Sequence, residues 1–442
     1  MTTLDDSLRE TLHESTVTAS PSRIGSFLAP RLGGLPRAFW ALWTGTLINR
    51  LGTMVEPFLG LYLTTARGLS LAQAGAVMAV LGAGSLGGQF LGGMLADRIG
   101  RRQTLLVSTL GTGAAMLALG YAQGIVALVA TAALLGLLLD MFRPASQAMI
   151  ADMIPAEDRA RAFGLNFWAV NLGWAVAMAS AGALARTGFH TLFWINAVTA
   201  VTFGALVWRA VPETRPSAPA TGTTDAATDT GTDTHTATAA AAPRGGFLDV
   251  MRDRVMVGYT FAVLAYVFVL MQSMTTMPLA MREHGLGAGT YGWVIALNGV
   301  VIITVQPLVN AWLTRRDHSL VLVTGMAIVG VGVGATVLAS APWQYAVIVV
   351  LWSFGEIMAA SVLQAIVAGL SPDHLRGRYS GLYGLAWSGG LMLAPLGGTQ
   401  LLGLGGPALM WPVCGALGVA AAAAQLALAP AIRRRTAAPA AS

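Results

Sequence analysis

Lysine is absent from the 442 residues, and all 26 cationic side chains are arginine. A phosphate-binding loop of the Gly-x-x-x-x-Gly-Lys type is therefore excluded. Cysteine occurs once, at Cys414 in an apolar run, which excludes an internal disulfide and a cysteine-based metal site. Charged residues make up only 10% of the chain, against about a quarter in an ordinary soluble protein. The six histidines, at 13, 190, 235, 284, 318 and 374, all fall in loops or at the ends of apolar segments. No histidine cluster for a metal or for acid–base catalysis is available inside those segments. The reading is of a chain that is not an enzyme and carries no cofactor or metal.

What is present is apolar: 55% of the residues are hydrophobic and 53 are glycine. Crossing a bilayer as a helix takes about 20 apolar residues. Twelve runs qualify: 38–64, 70–96, 103–122, 125–150, 162–185, 190–210, 255–281, 288–313, 319–340, 344–370, 379–402 and 406–430. They are too long for barrel strands and lack alternation. The fold class predicted is all-α, with twelve transmembrane helices in two six-helix bundles. Residues 1–36 are polar, include Asp5, Asp6, Glu10 and Glu14, and lack the pattern of a cleavable signal. The stretch Arg215 to Gly246 is built of Ala, Thr, Asp, Gly and Pro and has little to bury, so disorder is expected. The organisation predicted is a tail (1–36), a bundle (37–210), a disordered linker (211–250), a second bundle (251–430) and a tail (431–442).

Arginine placement sets the expected orientation. With a cytoplasmic N-terminus, 21 arginines fall in inner segments and three, Arg67, Arg186 and Arg282, in outer ones. The positive-inside rule then puts both termini in the cytoplasm. It also accounts for the net charge of +6 without a nucleic-acid partner.

The halves repeat. QAMIADMIPAEDRARAFGL (Gln147 to Leu165) aligns with QAIVAGLSPDHLRGRYSGL (Gln364 to Leu382) at an offset of 217. The same offset pairs Gly75 with Gly292, Gln89 with Gln306, Arg98 with Arg315 and Gly173 with Gly390. Two parallel repeats imply a substrate site at their interface, with the halves rocking about it.

Gly93, Asp97, Arg98, Gly100, Arg101 and Arg102 resemble the loop between helices two and three of the major facilitator superfamily. A degenerate copy, Leu313-Thr-Arg-Arg316, stands at the matching place. The resemblance implies secondary transport in the cytoplasmic membrane, with these six residues as a conformational latch and Asp97 at its centre. Gly84, Gly88 and Gly92 form a ridge of small residues on which another helix can pack. Gln89 and Gln306, being repeat-related, read as packing residues.

Five charges lie inside spans: Arg50, Glu56, Asp140, Arg143 and Glu356. A charge at mid-membrane costs roughly 2.5–3.5 kcal/mol on insertion scales and so tends to face a cavity with a partner. They fall on spans one, four and ten, which by resemblance line the central cavity. At 1.5 Å per residue, Arg50 and Asp140 come within roughly 5 Å of one depth, and Asp140 and Arg143 share a helix face. The network expected is Arg50–Asp140–Arg143, with Glu56 held less tightly. A carboxyl without a close cation in a low dielectric holds a proton more readily, which makes Glu56, Glu356 and then Asp140 the proton-coupling candidates. Asn49, Arg50, Arg143, Gln272, Asn298 and Gln364 are the candidates for contact with substrate.

Within the superfamily, the Ile150-Ala-Asp-Met-Ile-Pro155 run ending span four is similar to twelve-helix drug and metabolite exporters. Those exporters carry an arginine where this chain has Ala133, and a proline in span five where it has none. Pro212-Glu-Thr-Arg215 is similar to a motif of the sugar-uptake branch. The function expected is export of a small organic molecule by a monomer, coupled to the proton gradient. Uptake or uniport of a sugar or other nutrient is the alternative.

Overall fold

The computed structural model describes residues 34–155, 158–185, 188–213, 247–372 and 375–437. The expected N-terminal tail up to residue 33, the linker over 214–246 and the last five residues lie outside them. The helices are α1 (Arg37–Leu51), α2 (Leu71–Arg98), α3 (Arg101–Tyr121), α4 (Gly124–Met153), α5 (Arg159–Leu184) and α6 (Phe189–Ala210) in the first half. The second half has α7 (Arg254–Thr275), α8 (Ala288–Leu313), α9 (His318–Ala335) and α10 (Pro342–Leu370). It ends with one helical stretch, Arg376–Ala437, broken where Gly405 and Gly406 leave helical geometry, giving α11 (376–404) and α12 (407–437). The described residues contain no strand. All twelve expected spans are present, and the last helix runs on to Ala437 rather than stopping near 430.

The first span is not one helix. It breaks after Leu51 and resumes as a short turn, Glu56–Phe58, followed by Leu59–Leu61 and Tyr62–Ala66. Non-helical backbone at membrane depth is tolerated where it lines a cavity. The break delivers Glu56 to one.

The glycine ridge packs as its spacing predicts. A Cβ added at Gly84, Gly88 or Gly92 would meet the carbonyl oxygens of Ala133, Leu137 and Met141 on α4. Successive ridge positions thus meet successive turns of α4.

Among the described residues the two halves pack closely toward one end. Gly75 and Gly82 of α2 lie against Pro395, Thr399 and Met392 of α11, while Gly182 and Ala175 of α5 lie against Gly292 and Gly299 of α8. Phe58 and Tyr291 meet edge to face across the halves at 5.2 Å. All these positions are on the arginine-poor side of mid-helix. Toward the arginine-rich face the halves part into two clefts. One is lined by Leu86, Gln89 and Phe90 of α2 with Ser380, Gly381, Gly384, Leu385 and Ser388 of α11. The other is lined by Ile303, Gln306 and Pro307 of α8 with Gly164, Phe167, Trp168 and Asn171 of α5. These are the same positions under the 217-residue offset: 86 and 303, 89 and 306, 90 and 307, 164 and 381, 167 and 384, 168 and 385, 171 and 388. Gln89 and Gln306 therefore face the clefts, a correction to their reading as packing residues. The conformation is open toward the arginine-rich face.

Candidate functional site

Between the halves, at mid-membrane depth, lies a cavity of about 880 Å³ including its mouth. Asn49, Arg50, Glu56, Asp140 and Arg143 supply its polar wall from the first half. The second half contributes Met271, Met274, Thr275, Leu391 and Pro395. One wall is charged and the other is mostly apolar. Two methionines there give a polarizable surface that adapts to irregular shapes.

Asp140 is buried and receives Arg143 Nε at 2.5 Å. Pro144 follows Arg143 inside α4. A helix-interior proline removes the hydrogen bond to the carbonyl four residues earlier, which here is that of Asp140. The ion pair thus straddles a local weakness in the helix.

Arg50 corrects one expectation. Its guanidinium lies over the Phe142 ring, 5.5 Å from the centroid. Among the described residues it has no ion-pair partner within 4 Å, and its buried Nε lacks a hydrogen bond. The expected Arg50–Asp140 pair is not formed: the arginine lies against Phe142 instead, and Asp140 is taken by Arg143. Glu56, on the far side of the break in the first span, has no hydrogen bond or ion pair among the described residues and shares the cavity wall with Asp140, Arg50 and Arg143. Asn49, before the break, and Glu56, after it, both line the cavity.

The second-half candidates sit elsewhere. Glu356 of α10 does not line this cavity. It accepts from Asn298 Nδ2 at 2.7 Å, and Asn298 also donates to Ser353 Oγ at 3.0 Å. Gln272 is fully buried and bridges α7 to α11 through the Ala394 carbonyl at 3.1 Å, while its own carbonyl accepts from Thr275 and Thr276. That side chain is spent on packing, a correction to its reading as a substrate contact. Gln364 is exposed on α10, two turns beyond Glu356 toward the arginine-rich face, and does not line the cavity either.

The cationic turn is tied down, but not through Asp97. Asp97 and Arg98 are exposed, and Asp97 has no polar partner among the described residues. Arg101 bridges to Asp152 at 2.7 Å. The Glu213 carboxylate accepts from the backbone N–H groups of Arg101 at 2.9 Å and Arg102 at 3.1 Å. It neutralises the start of α3, where orphan N–H groups and the helix dipole favour an anion. Gly100 makes the approach possible: its φ is +103°, and a Cβ there would strike the Glu213 carboxylate. Arg102 donates to the Trp208 carbonyl. Gly93 has open space beside it. Glu213 stands outside the sequence motif of the turn. The sequence marks it only as part of Pro212-Glu-Thr-Arg215, just past the sixth span, with nothing to join it to the turn.

No group of acidic, histidine or cysteine side chains suited to a metal occurs among the described residues.

Two pseudo-symmetric bundles around a mid-membrane cavity, joined at one end and parted at the other, define a membrane transporter. The chain belongs to the Major Facilitator Superfamily, whose family profile matches residues 42–287 and 270–442. An uncharacterized MFS-type transporter, YqjV of Bacillus subtilis (strain 168), is 26% identical over 80% of this chain and 86% of its own length. A Na(+), Li(+), K(+)/H(+) antiporter of Planococcus maritimus is 24% identical over 78% and 84%. The multidrug resistance protein MdtH of Edwardsiella ictaluri (strain 93-146) is 23% identical over 68% and 70%. A crystal structure of a peptide transporter POT in complex with sulfate superposes with a TM-score of 0.74 at 17% identity, covering 91% of this chain and 96% of that one.

Proposed function

We propose that the protein exports a small amphipathic organic molecule from the cytoplasm in exchange for protons, acting as a monomer in the cytoplasmic membrane. In this reading the arginine-rich face is cytoplasmic, as the positive-inside rule favours, and the structure is the inward-open conformation. The observation that carries it is Glu56, a carboxyl without a direct partner, in a cavity beside the Asp140–Arg143 pair and opposite an apolar wall. With Glu56 ionised, Arg50, Arg143, Glu56 and Asp140 sum to zero charge. A proton on Glu56 leaves the cavity one positive charge in excess, which disfavours a cationic substrate at the same place. Proton and substrate then exclude each other, the requirement for exchange. A relative named as a cation/proton antiporter supports exchange with protons, and one named as a multidrug resistance protein supports an organic substrate.

The test is proton movement in proteoliposomes under an imposed pH gradient, adding lipophilic cations, organic acids and sugars in turn. Substrate-dependent proton flux abolished by Glu56→Gln supports exchange. Substrate flux without proton movement overturns it.

A further inference from the structure

At the arginine-rich face the turn between α8 and α9 meets the ends of α10 and α12 around a second hollow of about 710 Å³, open to the surrounding medium. Arg316, His318, Arg433 and Thr436 line it, with Ile366 and Ile432 as its floor. Its single carboxylate is already engaged. Asp317 Oδ1 accepts from the N–H groups of Ser319 and Leu320, and Oδ2 receives Arg433 Nε at 2.6 Å. Arg433 thus presents its remaining N–H donors outward from a fixed position. The Arg316 guanidinium rests over the Trp312 ring, 4.8 Å from its centroid, which leaves its donors free for an anion. His318 donates from Nε2 to the Thr314 carbonyl, so its ring is held at the edge of the hollow and the anion's donors are those of the two arginines.

The surroundings say what kind of anion fits. Trp312 is 57% exposed and Leu308, one turn earlier on α8 and deeper in the membrane, is 79% exposed. In a membrane-spanning helix such side chains face lipid, and an exposed Trp at a helix end marks the headgroup level. Arg316 lines the hollow and rests on Trp312, so the hollow borders this apolar strip of α8, and an anion site beside such a strip suits a phosphodiester carrying acyl chains. Basic pockets between helices on the cytoplasmic side are sites of this type. The geometry points to a specific anionic phospholipid site here, with Arg316 and Arg433 on the phosphate and the acyl chains along Trp312 and Leu308. The inference needs only the membrane topology, not the direction of transport or the coupling ion.

The test is thermal unfolding of the detergent-purified full chain with phosphatidylglycerol, with phosphatidylcholine, and with inorganic phosphate at matched ionic strength. The result expected is a saturable rise in the unfolding midpoint with phosphatidylglycerol only, at least halved in Arg316→Gln and unchanged in Arg209→Gln, an exposed arginine at the same face but outside the hollow. Because destabilised variants blur midpoints, quenching of Trp312 by brominated phosphatidylglycerol, read as the difference from Trp312→Phe, gives a second measure. An equal rise with phosphatidylcholine, an equal effect of inorganic phosphate, or equal losses in the two arginine variants would each overturn the site.

Discussion

Asn298 donates to the Glu356 carboxylate at 2.7 Å and to Ser353 Oγ at 3.0 Å, joining α8 to α10 beside a carboxyl that has no ion-pair partner among the described residues. The amide fixes where the carboxyl points. Glu356→Gln keeps an acceptor for Asn298 and removes only the charge, so stability is expected to change by less than about 1 kcal/mol. Asn298→Ala leaves the carboxyl without its donor and is expected to cost about 1–3 kcal/mol. If Glu356 carries protons, Glu356→Gln also flattens the pH dependence of transport while leaving unfolding in detergent nearly unchanged. A pH profile that stays as in the unaltered protein would assign Glu356 to structure alone.

Asp140 and Arg143 are unequally buried: their side chains are 7% and 52% exposed. Removing one partner of an ion pair costs most when the survivor is the buried one. Arg143→Gln strands a buried carboxylate and is expected to cost about 3 kcal/mol. Asp140→Asn leaves a half-hydrated guanidinium and is expected to cost about 1 kcal/mol. The double variant should then be more stable than Arg143→Gln alone, while transport falls at least tenfold in all three. Denaturant unfolding of the four proteins, treated as a cycle, checks the order. Equal single losses would mean that the cavity hydrates both groups alike.

The architecture was legible because membrane helices announce themselves by length and apolarity, and because the repeat survives without a gap. The pairing of the two clefts, position by position, is the same 217-residue offset realised in space. The glycine ridge was legible for the same reason, since spacing by four leaves one face without side chains. Less of the site could be read. Depth along a helix placed Arg50 level with Asp140, but whether two side chains meet depends on rotation. Arg50 turns onto the Phe142 ring, and the break at residues 52–55 takes Glu56, not Arg50, off the run of α1. Gln272 has the composition of a substrate contact and the surroundings of a packing residue, and only neighbouring carbonyls distinguish them. Glu213 lies more than a hundred residues from the turn it caps, so no local spacing joins them.

Asp253 gives the clearest pH-dependent element away from the membrane interior. It caps the start of α7 through the Val255 and Met256 N–H groups and receives Tyr379 Oη at 2.8 Å and Arg435 at 2.6 Å. Burial by itself pushes the carboxyl up, but the hydrogen bonds from Arg435, Tyr379 and Met256 outweigh it and hold the group below its ordinary value. A carboxyl lowered on folding stabilises the folded state fully above its unfolded value, about 3.9, and loses that contribution as pH falls through its folded value. Asp253→Asn is therefore expected to lower the unfolding midpoint at pH 7 and to match the unaltered protein once the pH is well below about 3.9. A deficit that persists unchanged at low pH would place the effect in packing rather than charge.

Gly292 and Gly384 occupy opposite kinds of place, and the contrast tests the rocking of the halves. A Cβ at Gly292 would stand 2.8 Å from both Gly182 Cα and the Met178 carbonyl oxygen, at the end where the halves touch. Beside Gly384 nothing lies within 4 Å, because it borders the α2–α11 cleft. Gly292→Val must push α5 and α8 apart at the closed end, favouring closure at the other. Gly384→Val fits the present conformation without a clash and obstructs the cleft when it closes, so it should trap the protein as seen here. Cys414 is fully buried, so a cysteine introduced at Asn171 in the α5–α8 cleft can be followed by alkylation with little background. Alkylation of Asn171→Cys is expected to slow several-fold with Gly292→Val and to stay fast with Gly384→Val, while both variants lose transport. Since the cysteine is in one cleft and Gly384 borders the other, a response there reports the halves moving as bodies. Alkylation indifferent to both substitutions would mean that the clefts do not close in the cycle.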